Sequence, residues 1–200
     1  MRTLVLGGAR SGKSAWAESL LGGRIGGATA PPVHYVATAR PWPGADGFDA
    51  DFAARIAGHR SRRPAHWRTV DDADAVDTLR DLAAASPAPP VLVDDIGTWL
   101  THQLDDAGLW DAPRGSVAGR CDRLVSAVAA WPCGPGAGEL VVVTPEVGMS
   151  VIPGHHSGRL FRDELGALNA RLAEVCDRVV LVVAGLPLTL KEPGASPGGR

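Results

Sequence analysis

Short apolar runs alternate with stretches of helical periodicity along most of this chain. The apolar runs are predicted as strands, at residues 4–6, 33–37, 67–70, 91–93, 140–144 and, as the last strand, 179–184. Several runs are continuous in valine and leucine and do not alternate with polar residues, which indicates burial on both faces. Such strands are typical of a mainly parallel sheet covered by helices, so the pattern predicts an α/β fold.

The segments between these runs are predicted as helices, at residues 14–21, 48–59, 74–85, 117–130 and 160–175. In the second of them Phe48, Phe52, Ile56 and His59 recur at helical spacing, and Pro64 sets its end. Loops rich in glycine and proline separate the elements. We expect one domain over residues 1–191, followed by a disordered tail over residues 192–200.

Composition narrows the class of protein. The 200 residues carry a net charge of −2, with 21% charged and 45% hydrophobic residues, which excludes wholesale disorder. The small charge argues against general binding to nucleic acid or to an anionic membrane surface. The sequence has 3 cysteines and no CxxC pair, which excludes a disulfide framework and a zinc site of that type. Without an apolar stretch of about 20 residues or a signal peptide, we expect a soluble cytoplasmic protein.

The segment between the first apolar run and the first helix matches the phosphate-binding pattern G-x-x-x-x-G-K-[ST]. Its residues are Gly7, Gly8, Ala9, Arg10, Ser11, Gly12, Lys13 and Ser14. Glycines let backbone N–H groups turn toward a phosphate, and the start of the helix adds unpaired donors. Lys13 supplies a slender cation for the β- and γ-phosphates, and Ser14 supplies a hydroxyl for Mg²⁺. Residues 7–14 are therefore predicted to bind a nucleotide.

A phosphate loop of this kind needs a carboxylate at the end of a neighbouring strand to hold the Mg²⁺ shell. Asp94 follows the apolar run 91–93 and is the first candidate, so Ser14 and Asp94 are the predicted metal-linked residues. Asp95 is expected to point to the opposite face because successive strand side chains alternate. Glu146, which follows the run 140–144, is the second candidate.

The surroundings of the single asparagine show whether the chain carries the guanine-binding motif of a regulatory GTPase. A regulatory GTPase carries an N-K-x-D motif for guanine, whereas Asn169 lies in the last predicted helix, away from both lysines. The sequence therefore does not support a regulatory GTPase that switches by hydrolysing GTP. A small kinase and a nucleotide-binding protein without chemistry both remain open at this point.

A histidine followed by three arginines forms a second group of interest. His59 directly precedes Arg60, Arg62 and Arg63 at the end of a predicted helix. In one interpretation His59 continues the apolar stripe and the arginines form a solvated helix end. In the other interpretation, the arginines bind a triphosphate beside His59. Their positive charge keeps the imidazole of His59 neutral, as a nucleophile that attacks phosphorus must be.

Taken in order, several segments make the chain similar to the bifunctional adenosylcobinamide kinase / adenosylcobinamide-phosphate guanylyltransferase family of cobalamin biosynthesis. They are residues 7–14, 35–39, 55–70, 93–101, 146–169 and 182–191. The resemblance implies a RecA-like P-loop fold and a homo-oligomer, a trimer in the family. It implies that ATP or GTP phosphorylates adenosylcobinamide. It further implies that His59 attacks the α-phosphorus of GTP, and that a His59–GMP intermediate passes GMP to the cobinamide phosphate.

The resemblance also implies which residues meet the nucleotide beyond the loop 7–14. They are Ala37, Thr38, Ala39, Arg60, Ser61, Arg62, Arg63, Asp71 and Asp94. The chain departs from the family pattern at several positions: Asp71 and Asp94 stand where many relatives have glutamate, and Pro145 replaces a usual asparagine. The adjacent His155 and His156 are predicted as loop or helix-start residues and not as metal ligands. A small-molecule kinase without guanylyl transfer stays as the alternative function.

Overall fold

The computed structural model describes residues 1–22, 32–39, 58 and 64–194. The strands are β1 (Arg2–Gly7), β2 (His34–Ala37), β3 (Arg68–Val70), β4 (Val91–Asp94), β5 (Leu140–Pro145), β6 (Arg178–Val183) and β7 (Leu186–Lys191). The helices are α1 (Lys13–Gly22), α2 (Ala75–Ala83), α3 (Ile96–Asp106), α4 (Ala118–Ala129) and α5 (His156–Val175). None of the helices in these described ranges is long and apolar enough to cross a membrane.

The strands form one sheet of seven in the order β3-β2-β4-β5-β1-β6-β7. All neighbouring pairs are parallel except β6 and β7, which are antiparallel. Only Ala184 and Gly185 join these last two strands, and their φ angles of 51° and 80° are those of a two-residue hairpin turn. A parallel connection would need a dozen or more residues, so this short link makes β7 antiparallel.

Both faces of the sheet are buried, as the continuous apolar runs predicted. In β1, Leu4 and Leu6 belong to the hydrophobic cluster beneath α2, α3, α4 and α5, whereas Val5 belongs to the cluster beneath α1. Neighbouring strand residues point to opposite faces, so a fully apolar strand supplies both cores. The prediction of a mainly parallel sheet covered by helices is confirmed.

Two elements were not predicted from the sequence, and one prediction about the last strand was wrong. The run 179–184 is followed by β7, so it is not the last strand. Helix α3 begins one residue after β4 ends, with Asp95 as its N-cap. The predicted helix 48–59 lies outside the described residues except for Gly58, and so does the tail from residue 195 onward.

A charged pair fastens the beginning of β1 to the residue before β6. Arg2 donates from its backbone N to Asp177 Oδ2 at 2.7 Å and from Nη2 to Oδ1 at 2.7 Å. The Asp177 backbone N donates in return to the Arg2 carbonyl at 2.9 Å. The side chains are only 20% and 27% exposed, so solvent screens this pair weakly. The pair thus joins the residues that directly precede Thr3 and Arg178, the first register partners of β1 and β6.

Candidate nucleotide site

The loop of residues 7–14 leaves the carboxyl end of β1 and enters α1. Arg10 and Gly12 have φ angles of 57° and 90°, in the left-handed region. Ser11 donates from its backbone N to the Gly8 carbonyl at 3.3 Å, which closes a tight turn. A loop with alternating left-handed residues turns successive N–H groups toward one concave space, where an anion binds. The predicted phosphate loop is present with the expected strand before it and helix after it.

The turn between β6 and β7 packs against this loop and is hydrogen-bonded to it. Gly185 donates from its N to the Ser11 carbonyl at 2.8 Å. A Cβ on Gly12 would lie 3.3 Å from Gly185 Cα, and a Cβ on Gly7 would lie 2.8 Å from the Val182 carbonyl oxygen. Both glycines are therefore required by close backbone contact as well as by phosphate access. The packing makes the loop a fixed cradle.

Lys13 and the start of α1 supply the positive end of the cradle. Lys13 Nζ lies 3.5 Å from the Gly8 carbonyl oxygen, so the side chain folds back over the loop. Trp16 donates from its N to Gly12 O at 2.9 Å. The N–H groups at the beginning of a helix lack intrahelical acceptors and carry partial positive charge. Backbone donors and one ammonium group thus converge at residues 8–14.

Asp94 lies beside Ser14, as the strand-end argument predicted. Ser14 donates from Oγ to Asp94 Oδ1 at 3.1 Å, and Tyr35 donates from its hydroxyl to Oδ2 at 2.6 Å. Asp94 is only 7% exposed. A hydroxyl and a carboxylate are hard oxygen donors of the kind that Mg²⁺ takes in nucleotide sites, so this pair suits the predicted metal. Tyr35 was not predicted as a site residue.

Asp95 caps a helix and does not contact Ser14, unlike Asp94. Its Oδ1 accepts a hydrogen bond from Thr98 N at 2.9 Å, which caps α3. Burial, with the neighbouring Asp94 charge second, raises the pKa of Asp95 above its ordinary value. Asp95 therefore does not share the contacts of Asp94, in agreement with the expected alternation.

Residues Ala37, Thr38 and Ala39 reach the same edge of the sheet. Ala37 pairs in register with Asp94. Thr38 donates from its N to Asp94 O at 3.2 Å and from Oγ1 to Asp95 O at 2.6 Å. The structure thus brings this predicted nucleotide segment, three strands away from β1, next to Asp94, which is two strands away from β1.

Other predicted site residues lie apart from this cluster or outside the described part of the chain. Asp71 is exposed and follows β3, four strands from β1, which places it about 19 Å away at ~4.8 Å per strand. His59, Arg60, Ser61, Arg62 and Arg63 lie outside the described residues. The loop 7–14, Asp94 and the segment 37–39 therefore form the part of the predicted site that the structure brings together.

Strand β5 separates β1 from β4, which adds Glu146 to this edge. Its N donates to the Gly7 carbonyl at 3.1 Å, so it lies closer to the loop in strand order than Asp94 does. Pro145 makes no polar side-chain contact, as its identity requires. Its ring packs on α3, where a Cβ on Gly97 would lie 2.5 Å from Pro145 Cγ.

The adjacent histidines begin α5. His155 is the N-cap residue and His156 the first residue of the helix, both exposed. The prediction that they are helix-start residues is confirmed. Across the described ranges, no group of three or more histidine, cysteine, aspartate or glutamate side chains is arranged to hold a metal ion.

A separate pocket of about 300 Å³ lies among α2, α3 and α4. On its wall Asp74 accepts hydrogen bonds from Trp99 Nε1 at 3.1 Å and from Gln103 Nε2 at 3.2 Å. Arg120 donates to Gln103 Oε1 at 2.8 Å. These polar groups satisfy one another, and Thr38 is the lining residue that also reaches the edge carrying Asp94.

The strand order, the loop 7–14 and the strand-end carboxylate define a P-loop nucleotide-binding protein with a RecA-like sheet. A solved prototypical ATPase from the type III secretion system of pathogenic bacteria has the same fold. Its TM-score is 0.55 at 12% sequence identity, covering 94% of this chain and 56% of that one. At this identity the likeness concerns the fold alone.

The chain belongs to the cobinamide kinase / cobinamide phosphate guanyltransferase family, whose model matches residues 3–190. It is 40% identical over 192 residues to the bifunctional adenosylcobalamin biosynthesis protein CobP of Pseudomonas aeruginosa, covering 96% of this chain and 98% of that protein. It is 38% identical over 201 residues to the bifunctional protein CobU of Salmonella typhimurium, covering 96% and 100%. The CobU protein of Escherichia coli is 36% identical, with the same coverage. The family expected from the sequence is confirmed.

Proposed function

We propose that this protein catalyses both reactions named in its family's description. In the first, the γ-phosphate of ATP or GTP moves to the hydroxyl group of adenosylcobinamide. In the second, GMP from GTP moves to the resulting phosphate and gives adenosylcobinamide-GDP. The observation that carries the proposal is the phosphate loop with the Lys13 side chain folded back over it and with Ser14 hydrogen-bonded to the buried Asp94.

The phosphoryl-transfer step needs positioning and charge neutralisation more than covalent chemistry. Backbone N–H groups of residues 8–14 hold the β- and γ-phosphate oxygens, and Lys13 supplies a positive charge beside them. Ser14 and Asp94 would hold Mg²⁺, which neutralises charge on the phosphates when bound. The Tyr35 hydroxyl donates a hydrogen bond to Asp94 Oδ2 at 2.6 Å. This bond keeps the other carboxylate oxygen, Oδ1, turned toward Ser14.

The guanylyl-transfer step uses His59 as the nucleophile. An imidazole nitrogen forms a bond to the α-phosphorus of GTP, and the bond to pyrophosphate breaks. A phosphate oxygen of the cobinamide phosphate then attacks the same phosphorus and releases His59. Arg60, Arg62 and Arg63 offer charge-assisted hydrogen bonds to the phosphates. The support for this step is the sequence of the segment 55–70 and the bifunctional relatives at 36–40% identity.

A labelling experiment tests the guanylyl-transfer step. The protein is incubated with GTP labelled at the α- or the γ-phosphate, and acid-labile, base-stable label on the chain is measured. We expect label from the α-position alone, absent in His59→Ala and retained in His156→Ala, a matched change at an exposed histidine. Label that persists in His59→Ala contradicts the assigned nucleophile.

The phosphoryl-transfer activity is measured with γ-labelled ATP and adenosylcobinamide. We expect Lys13→Ala to abolish transfer to the corrinoid, because it removes the cation beside the γ-phosphate. Transfer without any α-phosphate label on the wild-type chain would instead support the kinase that lacks guanylyl transfer. Unchanged transfer in Lys13→Ala would refute the phosphate role of the loop.

We also infer that copies of the chain associate, a trimer being the assembly that the family resemblance implies. On the edge strand β7, Leu186, Leu188 and Leu190 are 72%, 57% and 56% exposed, and alternate residues share one face. Exposed apolar faces and open strand edges are where chains join. Light scattering should give three times the 20.7 kDa chain mass, reduced in Leu188→Ser and unchanged in Thr189→Ser. Since both reactions consume nucleoside triphosphates, we expect the assembly to act in the cytoplasm.

A further inference from the structure

Glu146 stands at the end of the strand that lies directly beside the phosphate-loop strand. In register, Gly7 pairs with Pro145, the last residue of β5. Glu146 continues this pairing by donating from its N to the Gly7 carbonyl at 3.1 Å. The backbone of Glu146 therefore lies about 5 Å, one strand spacing, from the first residue of the loop.

Helix α5 fixes the backbone on both sides of Glu146. Thr144 donates from Oγ1 to Asn169 Oδ1 at 2.7 Å, and Asn169 donates from Nδ2 to the Pro145 carbonyl at 3.0 Å. Thr144 and Asn169 are buried. Arg162 donates from Nη2 to the Gly148 carbonyl at 2.8 Å. Three hydrogen bonds from or to one helix thus hold the segment that carries this carboxylate.

The carboxylate itself is oriented by the next turn of chain. Glu146 Oε1 accepts a hydrogen bond from Gly148 N at 2.6 Å. A Cβ on Gly148 would lie 2.9 Å from that oxygen, so a side chain there would displace the carboxylate. Within the described ranges, Glu146 Oε2 has no hydrogen-bond partner. One oxygen is anchored and the other is available to a substrate.

The other two carboxylates at this edge are already engaged. Both oxygens of Asp94 accept hydrogen bonds, from Ser14 and Tyr35. Asp95 Oδ1 caps α3. Asp94 and Asp95 stand at the end of β4, which β5 separates from β1, whereas Glu146 follows β5, directly beside β1. Glu146 is therefore the acidic side chain nearest the loop in strand order, and it keeps one oxygen open to an incoming hydroxyl group.

We propose that Glu146 is the catalytic base of the phosphoryl-transfer step, which rests on the proposed kinase activity. Its Oε2 accepts the proton of the acceptor hydroxyl as that oxygen bonds to the γ-phosphorus. The bond from the γ-phosphorus to the bridging oxygen breaks, and the nucleoside diphosphate leaves with the electron pair. The proton then passes from Glu146 to water. Gly148 and Asn169 are positioning residues for this carboxylate.

The residues that follow Glu146 suit a large acceptor. Met149, Val151 and Ile152 are 78%, 90% and 69% exposed, which is unusual for side chains of this size. They lie within six residues of Glu146 on the same connection between β5 and α5. An acceptor with a broad apolar body can pack on these side chains and present its hydroxyl group to the carboxylate.

The test compares Glu146→Gln with wild type, using Glu174→Gln on the exposed side of α5 as the matched control. Acceptor-dependent γ-phosphate transfer is measured over a range of pH. We expect kcat to fall at least about 100-fold in Glu146→Gln, with the KM for ATP unchanged. The acidic limb of the kcat profile, where a carboxylate base is protonated, should disappear from the remaining activity. Glu146→Asp should recover part of kcat, and Glu174→Gln should match wild type.

The α-phosphate labelling of His59 separates this role from a structural one. Labelling should be unchanged in Glu146→Gln, because that step does not use the acceptor hydroxyl. A variant that keeps kcat within twofold, or that loses kcat and labelling together, overturns the proposal. Wild-type protein that transfers no γ-phosphate to adenosylcobinamide overturns the proposed kinase activity itself, and this role with it.

Discussion

Replacing Asp177 by asparagine removes the negative charge that anchors the beginning of β1. The Arg2 guanidinium hydrogen-bonds this carboxylate and lowers its pKa from 3.8 to about 2. The same contact raises the pKa of Arg2. Because asparagine keeps the shape and one acceptor oxygen, the substitution removes the charge and one of the two oxygen acceptors but leaves the backbone hydrogen bond from Asp177 N to Arg2 O in place.

The magnitude follows from the two pKa values. A tenfold change in a protonation equilibrium corresponds to about 1.4 kcal/mol. The pKa of Asp177 is about 2 in the folded chain and 3.8 in the unfolded chain, so the pair contributes about 2 kcal/mol to the free energy of unfolding at pH 7. The folded pKa of Asp177 is the lower one, so this stability is present above the unfolded pKa. It is lost as the pH falls toward the folded pKa, with about half remaining at pH 3.

Urea unfolding of wild type and Asp177→Asn at pH 7 and pH 3 measures this difference. We expect the variant to lose about 2 kcal/mol of unfolding free energy at pH 7 and about 1 kcal/mol at pH 3. Asp122→Asn is the control, because its pair with Arg171 is 60% and 38% exposed and should contribute less than about 1 kcal/mol. A loss that is equal at the two pH values, or no larger than the control's, would refute the linkage argument.

Three further outcomes follow from contacts in the site and the core. Tyr35→Phe should weaken Mg²⁺-dependent phosphoryl transfer about tenfold, measured as kcat against Mg²⁺ concentration, because Asp94 loses the hydrogen bond at 2.6 Å. Gly7→Ala should abolish nucleotide binding in calorimetry, because its Cβ would lie 2.8 Å from a carbonyl oxygen, whereas Gly8→Ala has nothing within 4 Å and should bind. Iodoacetamide at pH 8 should label Cys133 alone in the folded protein, because burial raises the pKa of the other two thiols to about 11 and about 12.

Most of the fold follows from local pattern, and the exceptions have physical causes. Continuous valine and leucine runs predicted β1, β4, β5 and β6, because burial on both faces leaves that mark on the sequence, whereas the shorter β2 and β3 were predicted from mixed apolar segments. Strand β7 escaped prediction because Leu186, Leu188 and Leu190 face solvent and Pro187 interrupts the run. Helix α3 escaped because it starts directly after β4, with no glycine or proline between them, although Asp95 is a recognisable N-cap.

The site was partly predictable for a related reason. The loop 7–14 and Asp94 could be placed because the carboxyl ends of parallel strands share one edge. Strand order is not written locally, so the sequence did not show that β5 separates β1 from β4. Tyr35 was missed because a tyrosine inside an apolar run predicts only a buried strand residue, and its hydroxyl partner depends on that order.

The phosphate-binding loop near the amino terminus depends on the distant hairpin turn at Ala184–Gly185. The support of the loop 7–14 comes from residues more than 170 positions later, through the hydrogen bond from Gly185 to Ser11 at 2.8 Å. A fragment that ends before this turn retains every residue of the phosphate-binding pattern but lacks the hydrogen bond and packing that support the loop. An intact pattern near the amino terminus is therefore insufficient evidence of a working nucleotide cradle, and expression designs should preserve the carboxyl-terminal hairpin.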